Sequence, residues 1–189
     1  SPEPKSGDKL TTCWNASANE VVCAVLVRAG RHYTVARDFA AGGPTTDAVR
    51  SILTELRACY PRAQLDAYAP AELHDTFNRI ALVPAMQGER LRPWRGEHYA
   101  LARGALAEPI RTTIRERRLL TVAKDAPLTL AALAGDYKWP VGASGAKGLE
   151  PEPGLARLVA EALECAFEML SKQQEAPGGV HYATNPQGY

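Results

Sequence analysis

The sequence predicts an α/β domain on a mixed sheet, three antiparallel strands followed by parallel ones, with helices on its flanks. Three observations carry this. Between Leu10 and Phe39 three strand-like runs follow one another, after Pro61 a strand–helix–strand rhythm sets in, and from Gly154 a long amphipathic helix closes the pattern.

The first run lies around Thr11–Trp14, the second at Val21–Val27 and the third at Tyr33–Ala36. Gly30-Arg31 separates the last two and reads as a hairpin turn, so consecutive antiparallel pairing is the simplest outcome. Gly42-Gly43-Pro44 ends this meander, and Thr45 or Thr46 can cap a helix whose apolar positions Val49, Ile52, Leu53, Leu56 and Tyr60 keep helical spacing. After Pro61, residues 63–68 read as a short strand reaching its end at an acidic residue, Asp66. A helix from about Ala71 to Arg79 and a strand at Ala81–Met86 follow, a rhythm that favours parallel pairing.

The stretch Glu97–Arg118 favours helix, with Pro109 as a kink or a new start, and Leu119–Val122 reads as a short strand. Ala126–Leu133 reads as a short helix with Pro127 in its first turn. Gly142–Pro153 is a Gly/Pro-rich loop. The last helix then carries Leu155, Leu158, Val159, Ala162, Leu163, Phe167 and Leu170 on one face, and Arg157, Glu161, Glu164 and Glu168 on a solvated one. The reading divides the chain into a flexible segment 1–10, one domain over 11–171, and a flexible tail over 172–189.

With 189 residues and 46% apolar content the chain can bury a real core. Its 22 basic and 21 acidic side chains nearly cancel, so any nucleic-acid contact must come from a local patch. Cysteines 13, 23, 59 and 165 form no CxxC pair and read as reduced, mainly core thiols of a cytoplasmic protein. The polar, Pro/Lys-rich N-terminus Ser1–Leu10 has no apolar signal core, and no run of roughly 18 apolar residues occurs that could span a membrane. His32, His74, His98 and His181 lack zinc spacing, and no Gly-x-Ser-x-Gly elbow supports serine catalysis.

Several short motifs, in this order, carry a resemblance. They are Leu65-Asp66-Ala67-Tyr68-Ala69-Pro70-Ala71-Glu72-Leu73, then Leu82-Val83-Pro84, then the basic-strand-helix passage Arg117–Leu128, then Leu158-Val159-Ala160-Glu161-Ala162-Leu163. Over roughly residues 11–171 the chain resembles the ribonuclease-H-like C-terminal nuclease domain of phage large terminases, especially those of actinobacterial phages. The resemblance implies metal-dependent endonucleolytic cleavage of concatemeric double-stranded DNA during packaging, in the cytoplasm of the infected bacterial host. Its implied partners are the portal protein, the small terminase subunit and an upstream ATPase domain. No Gly-rich phosphate loop is present, so the chain would be an excised domain or a natural fragment.

Two-metal phosphodiester hydrolysis needs carboxylates that hold Mg2+ or Mn2+ ions about 3.5 to 4 Å apart. The resemblance places these on the first strand, at the end of the fourth and at the start of the last helix. Asp66 falls at the fourth-strand position; as an ordinary residue it would cap the following helix. The first-strand position falls on Cys13 or Asn15, neither of which supplies an anionic oxygen, although the Asn15 amide offers a neutral one and Glu20 is a carboxylate nearby. The last-helix position falls on Gly154, with Glu152 and Glu150 just upstream; a plain charged loop is the alternative. The expected catalytic set is therefore Asp66, Asn15 and Glu152, and the metal set Asp66, Glu152, Glu150 and Glu20. The missing acid implies an attenuated enzyme, or a degenerate module that binds DNA or the portal without cutting.

Arg111, Arg115, Arg117 and Arg118 lie within eight residues, with Arg95 beside Trp94 upstream. Such a cluster suits a phosphate backbone, against the alternative of a solvated helix face partly neutralised by Glu97, Glu108 and Glu116.

Overall fold

The computed structural model describes residues 9–29, 32–61, 63–81, 90–93, 120–148 and 150–175. Six strands form one mixed sheet in the order β5-β4-β1-β2-β3-β6. β1 (Lys9–Ala16), β2 (Glu20–Ala29) and β3 (His32–Gly42) make the antiparallel meander, while β4 (Gln64–Ala69), β5 (Arg90–Pro93) and β6 (Leu120–Val122) join in parallel. The turn expected at Gly30-Arg31 and the helix expected over Glu97–Arg118 lie outside the described residues. So do 1–8 and 176–189.

β2 shows why the sheet is covered on both sides. Its run Val21–Leu26 is apolar at every position, and all six residues are buried. Because side chains alternate along a strand, Val21, Cys23 and Val25 face one layer and Val22, Ala24 and Leu26 the other. The first layer holds α1 (Thr45–Cys59), which buries Ala48, Val49, Ile52, Leu53 and Leu56, and α2 (His74–Ala81), which follows a 3-10 turn at Ala71–Leu73. The second holds α3 (Pro127–Ala131), the π-helical turn Ala132–Asp136 and α4 (Leu155–Glu175). The register of β2 on β3 slips between Val25 and Leu26, a bulge that leaves Ala36 unmatched.

Several expectations are corrected. Thr45 does not cap α1: Pro44 stands at the N-cap and no side chain bonds there. A proline at this point fixes the entry angle while its carbonyl accepts from the Asp47 and Ala48 amides. Ala81 closes α2 instead of opening a strand, and the strand paired in parallel with β4 is Arg90–Pro93; residues 82–89 are not described. Asp66 sits in mid-strand, since β4 continues to Ala69. The last helix continues to Glu175, past the boundary expected at 172.

The strands expected around Thr11–Trp14, Val21–Val27, Tyr33–Ala36 and Leu119–Val122 and the helices expected after Gly43, near Ala126 and from Gly154 are present, although β1 already begins at Lys9, and the four cysteines form no disulfide. No helix among the described residues is long and apolar enough to cross a membrane.

Candidate functional site

β1 and β4 run in parallel, but the chain leaves them in opposite directions across the sheet, towards β2 and towards β5. Ligand crevices in α/β sheets form where the topology divides in this way, beyond the carboxyl ends of the strands. A cleft of about 800 Å³ lies at this point. It is lined by Asn15 at the end of β1, Glu20 at the start of β2, Glu72 after β4, Arg79 on α2, and Arg157 and Glu161 on the first turns of α4.

Asn15 is 6% exposed and points towards α4. Its Nδ2 donates to the Leu158 carbonyl at 3.2 Å and to Glu161 Oε2 at 3.4 Å. Its Oδ1 accepts from the Ala16 amide at 2.9 Å. The other oxygen of Glu161, Oε1, accepts from Arg157 Nε at 2.9 Å. Arg157 also donates Nη1 to the Pro151 carbonyl and Nη2 to Glu150 Oε2, both at 3.0 Å. Amide, carboxylate, guanidinium and loop thus form one chain across the floor and rim of the cleft.

The expected site residues are not brought together. Asn15 and Glu20 both line the cleft. Asp66 does not: it pairs with Thr11, four residues before Asn15 on the same strand, a separation of about 13 Å at the rise of a β-strand. Its side chain is buried on the α4 side of the sheet, as alternation with Leu65 and Ala67 requires, and its carbonyl accepts from Thr12 Oγ1 at 3.3 Å. Glu152 turns away to Lys138 at 3.6 Å, while Glu150 does not line the cleft and reaches it only through Arg157 at the rim. Cys13, the alternative first-strand residue, is fully buried, and burial pushes its thiol far up, so at neutral pH it is an uncharged thiol. Arg95, Arg111, Arg115, Arg117 and Arg118 lie outside the described residues.

These groups do not fit a divalent-metal centre. Where a carboxylate is required, Asn15 supplies an amide whose nitrogen faces Glu161, and Glu161 is already neutralised by a guanidinium. No group of three His, Cys, Asp or Glu side chains among the described residues could hold a metal ion.

Sequence reasoning missed Glu161, Arg157, Glu72 and Arg79. Glu161 was expected on a solvated helix face, yet it is 2% exposed, and Glu164 is 5% exposed. A signal was present: from Leu158 to Phe167 these two glutamates are the only polar residues, and a carboxylate in so apolar a run needs a buried partner.

No family model matches the chain, and no curated protein matches it. Solved structures do. The large terminase of a thermophilic bacteriophage superposes with a TM-score of 0.61 at 11% identity over 89% of this chain, which spans 41% of that protein's length. The large-terminase nuclease domain of bacteriophage SPP1, solved with bound Mn, gives 0.54 at 12% identity over 86% of both chains. The large-terminase nuclease of thermophilic phage G20c, solved with bound magnesium, gives 0.50 at 15% identity over 86% of this chain and 84% of that one. The chain therefore has the ribonuclease-H-like fold of phage large-terminase nuclease domains.

Proposed function

We propose that this chain is the ribonuclease-H-like module of a viral DNA-packaging terminase, and that it engages double-stranded DNA without a metal-dependent cut of its own. The observation that carries the second half is the Asn15–Glu161–Arg157 chain. It puts an amide and an internal cation in the cleft where the resemblance calls for carboxylates and Mg2+ or Mn2+. The fold it shares with terminase nuclease domains, along nearly the whole length of the SPP1 domain, supports the first half.

In this reading the ATPase domain of the same large terminase, the portal protein and the small subunit are its partners, in the cytoplasm of an infected bacterial host. DNA contact is assigned to Arg95, Arg111, Arg115, Arg117 and Arg118, whose density along the sequence suits a phosphate backbone.

The test is nicking of supercoiled plasmid in Mg2+, Mn2+ and EDTA, run beside gel shifts at rising salt. The expected result is no metal-dependent nicking and salt-sensitive binding that weakens when Arg115, Arg117 and Arg118 are changed to Ala. Nicking that needs metal and is lost in Asp66→Ala or Glu161→Gln would return the chain to the active nucleases. Absence of any DNA binding would remove the DNA-handling role.

A further inference from the structure

A carboxylate of β3 holds the start of α3 against the sheet. Asp38 Oδ2 accepts from the Thr129 amide at 2.8 Å, and it does so in place of an N-cap side chain, because Ala126 stands at that position. Its other oxygen, Oδ1, is buried with no hydrogen-bond partner among the described residues, and a polar atom left in that state marks stored cost in a fold. Little apolar surface backs the contact up. Over residues 127–136 only Thr129 and Ala132 are buried, while Leu130 and Leu133 stand 42% and 40% exposed. At the end of this segment Gly135 takes a φ of 135°, a turn that glycine makes without side-chain strain. The next anchor, Tyr137 on Glu164, comes only after it.

We propose that Asp38 is a pH-sensitive latch on residues 127–136: protonated, it holds α3 against β3, and ionised, it lets α3 and the following turn lift from the sheet. The inference stands apart from the DNA-handling reading and is tested without DNA. A neutral carboxyl still accepts from the Thr129 amide through its carbonyl oxygen and carries no charge for burial to penalise. An ionised one binds the helix amides more strongly but keeps Oδ1 out of water and without a bond. Burial outweighs the bonds from Thr129 and Leu128. Lifting α3 returns the carboxylate to water, so ionisation favours the open form. Charged neighbours among the described residues do not set this balance. Arg37 and Asp125 pair with each other at 3.4 Å, Lys124 and Asp136 are exposed, and β2 presents the uncharged run Val21–Leu26. On α4, Glu161 bonds to Asn15 and Arg157, and Glu164 to Tyr137.

The experiment follows amide hydrogen exchange of the whole chain from pH 4 to pH 8, in wild type and in Asp38→Asn, with rates corrected for the intrinsic pH dependence of exchange. Asn keeps an acceptor for the Thr129 amide and does not ionise. In wild type the protection of residues 129–133 is expected to fall by about fivefold or more as pH rises, the factor that corresponds to the low end of the cost of an unsatisfied buried group. Protection of α1, which shares no contact with Asp38, is the internal reference for unfolding of the whole domain. In Asp38→Asn the protection of residues 129–133 is expected to stay level relative to α1.

Protection of residues 129–133 that does not change with pH in wild type overturns the proposal, and so does an equal fall in Asp38→Asn. A fall shared in the same proportion by α1 also overturns it, since the whole domain and not the latch would then be opening. If Asp38→Asn does not fold, the wild-type contrast decides: a fall confined to residues 129–133 supports the latch, and any other profile overturns it.

Discussion

Arg157 and Glu161 stand one turn apart on α4, joined Nε to Oε1 at 2.9 Å, with the carboxylate side chain 3% exposed. An exposed pair at this spacing would be worth a few tenths of a kcal/mol. Burial changes the arithmetic: little is gained by having the pair, but much is lost by removing one half.

Arg157→Met is therefore expected to destabilise the domain by about 3 kcal/mol, the low end of the range for a broken buried pair, because Asn15 still donates to Glu161. Arg157→Met/Glu161→Met, which removes both charges, should recover most of that loss. Urea unfolding at neutral pH in EDTA measures both. Equal stabilities for wild type and Arg157→Met would mean that the pair is solvated in solution.

Asn15→Asp restores the carboxylate that the resemblance expects, and it should make the protein worse. The change deletes the donor to Glu161 Oε2 and to the Leu158 carbonyl, and sets a second negative charge against the first. The expected cost is about 2 to 3 kcal/mol at pH 8. Like charge raises the folded-state pKa of the introduced group, so protonation favours the fold and the deficit against wild type should shrink as pH falls towards 5. A deficit that stays constant between pH 8 and pH 5 would show that the two groups do not meet.

Tyr137 donates its hydroxyl to Glu164 Oε2 at 3.3 Å, and its ring lies 5.3 Å from that of Trp139. Burial first, and the negative charge of Glu164 second, hold the phenol far above its ordinary range, so it remains a donor at any physiological pH. Tyr137→Phe keeps the ring packing and removes one donor from a buried carboxylate. The expected loss is about 1 to 2 kcal/mol in urea, with unchanged far-ultraviolet circular dichroism. A loss below about 0.5 kcal/mol would mean that Glu164 is satisfied without it.

The meander was legible because its strands are short apolar, β-branched runs set off by glycine-containing turns, and the helix over 45–59 because its apolar positions keep a 3.6 period. Asp66 was legible as a residue of β4 but not as a residue away from the cleft. That depends on how far the strand continues, and Ala67-Tyr68-Ala69 carries no local stop before Pro70. The cleft's own chemistry was less legible still. Glu161 meets Asn15 from 146 positions away, and no periodicity within either element encodes that encounter. What the sequence could offer was the oddity of two glutamates in an apolar helical run, which amphipathic reasoning assigned to solvent because Arg157 and Glu168 flank them at helical spacing.

Asp38 gives the fold a pH dependence of unusual sign. Its Oδ2 accepts from the Thr129 amide at 2.8 Å, which caps α3 from β3 because Ala126, the residue before that helix, has no side chain able to do so. Oδ1 is buried with no hydrogen-bond partner among the described residues. Desolvation outweighs the bonds from Thr129 and Leu128, so the carboxyl's pKa is raised. A raised folded-state pKa means that the folded protein binds the proton more tightly than the unfolded chain does. Stability from this group is then lost as pH climbs from the ordinary carboxylate value through the raised one, and stays level above it. Paired carboxylates elsewhere slope the other way, so the readout is the difference between wild type and Asp38→Asn, followed by urea unfolding at intervals from pH 3 to pH 8. Wild type should lose stability relative to the variant across the lower part of that range and run parallel to it above. A difference that grows in favour of wild type as pH rises would show that the bond from Thr129, and not burial, sets the charge state of Asp38.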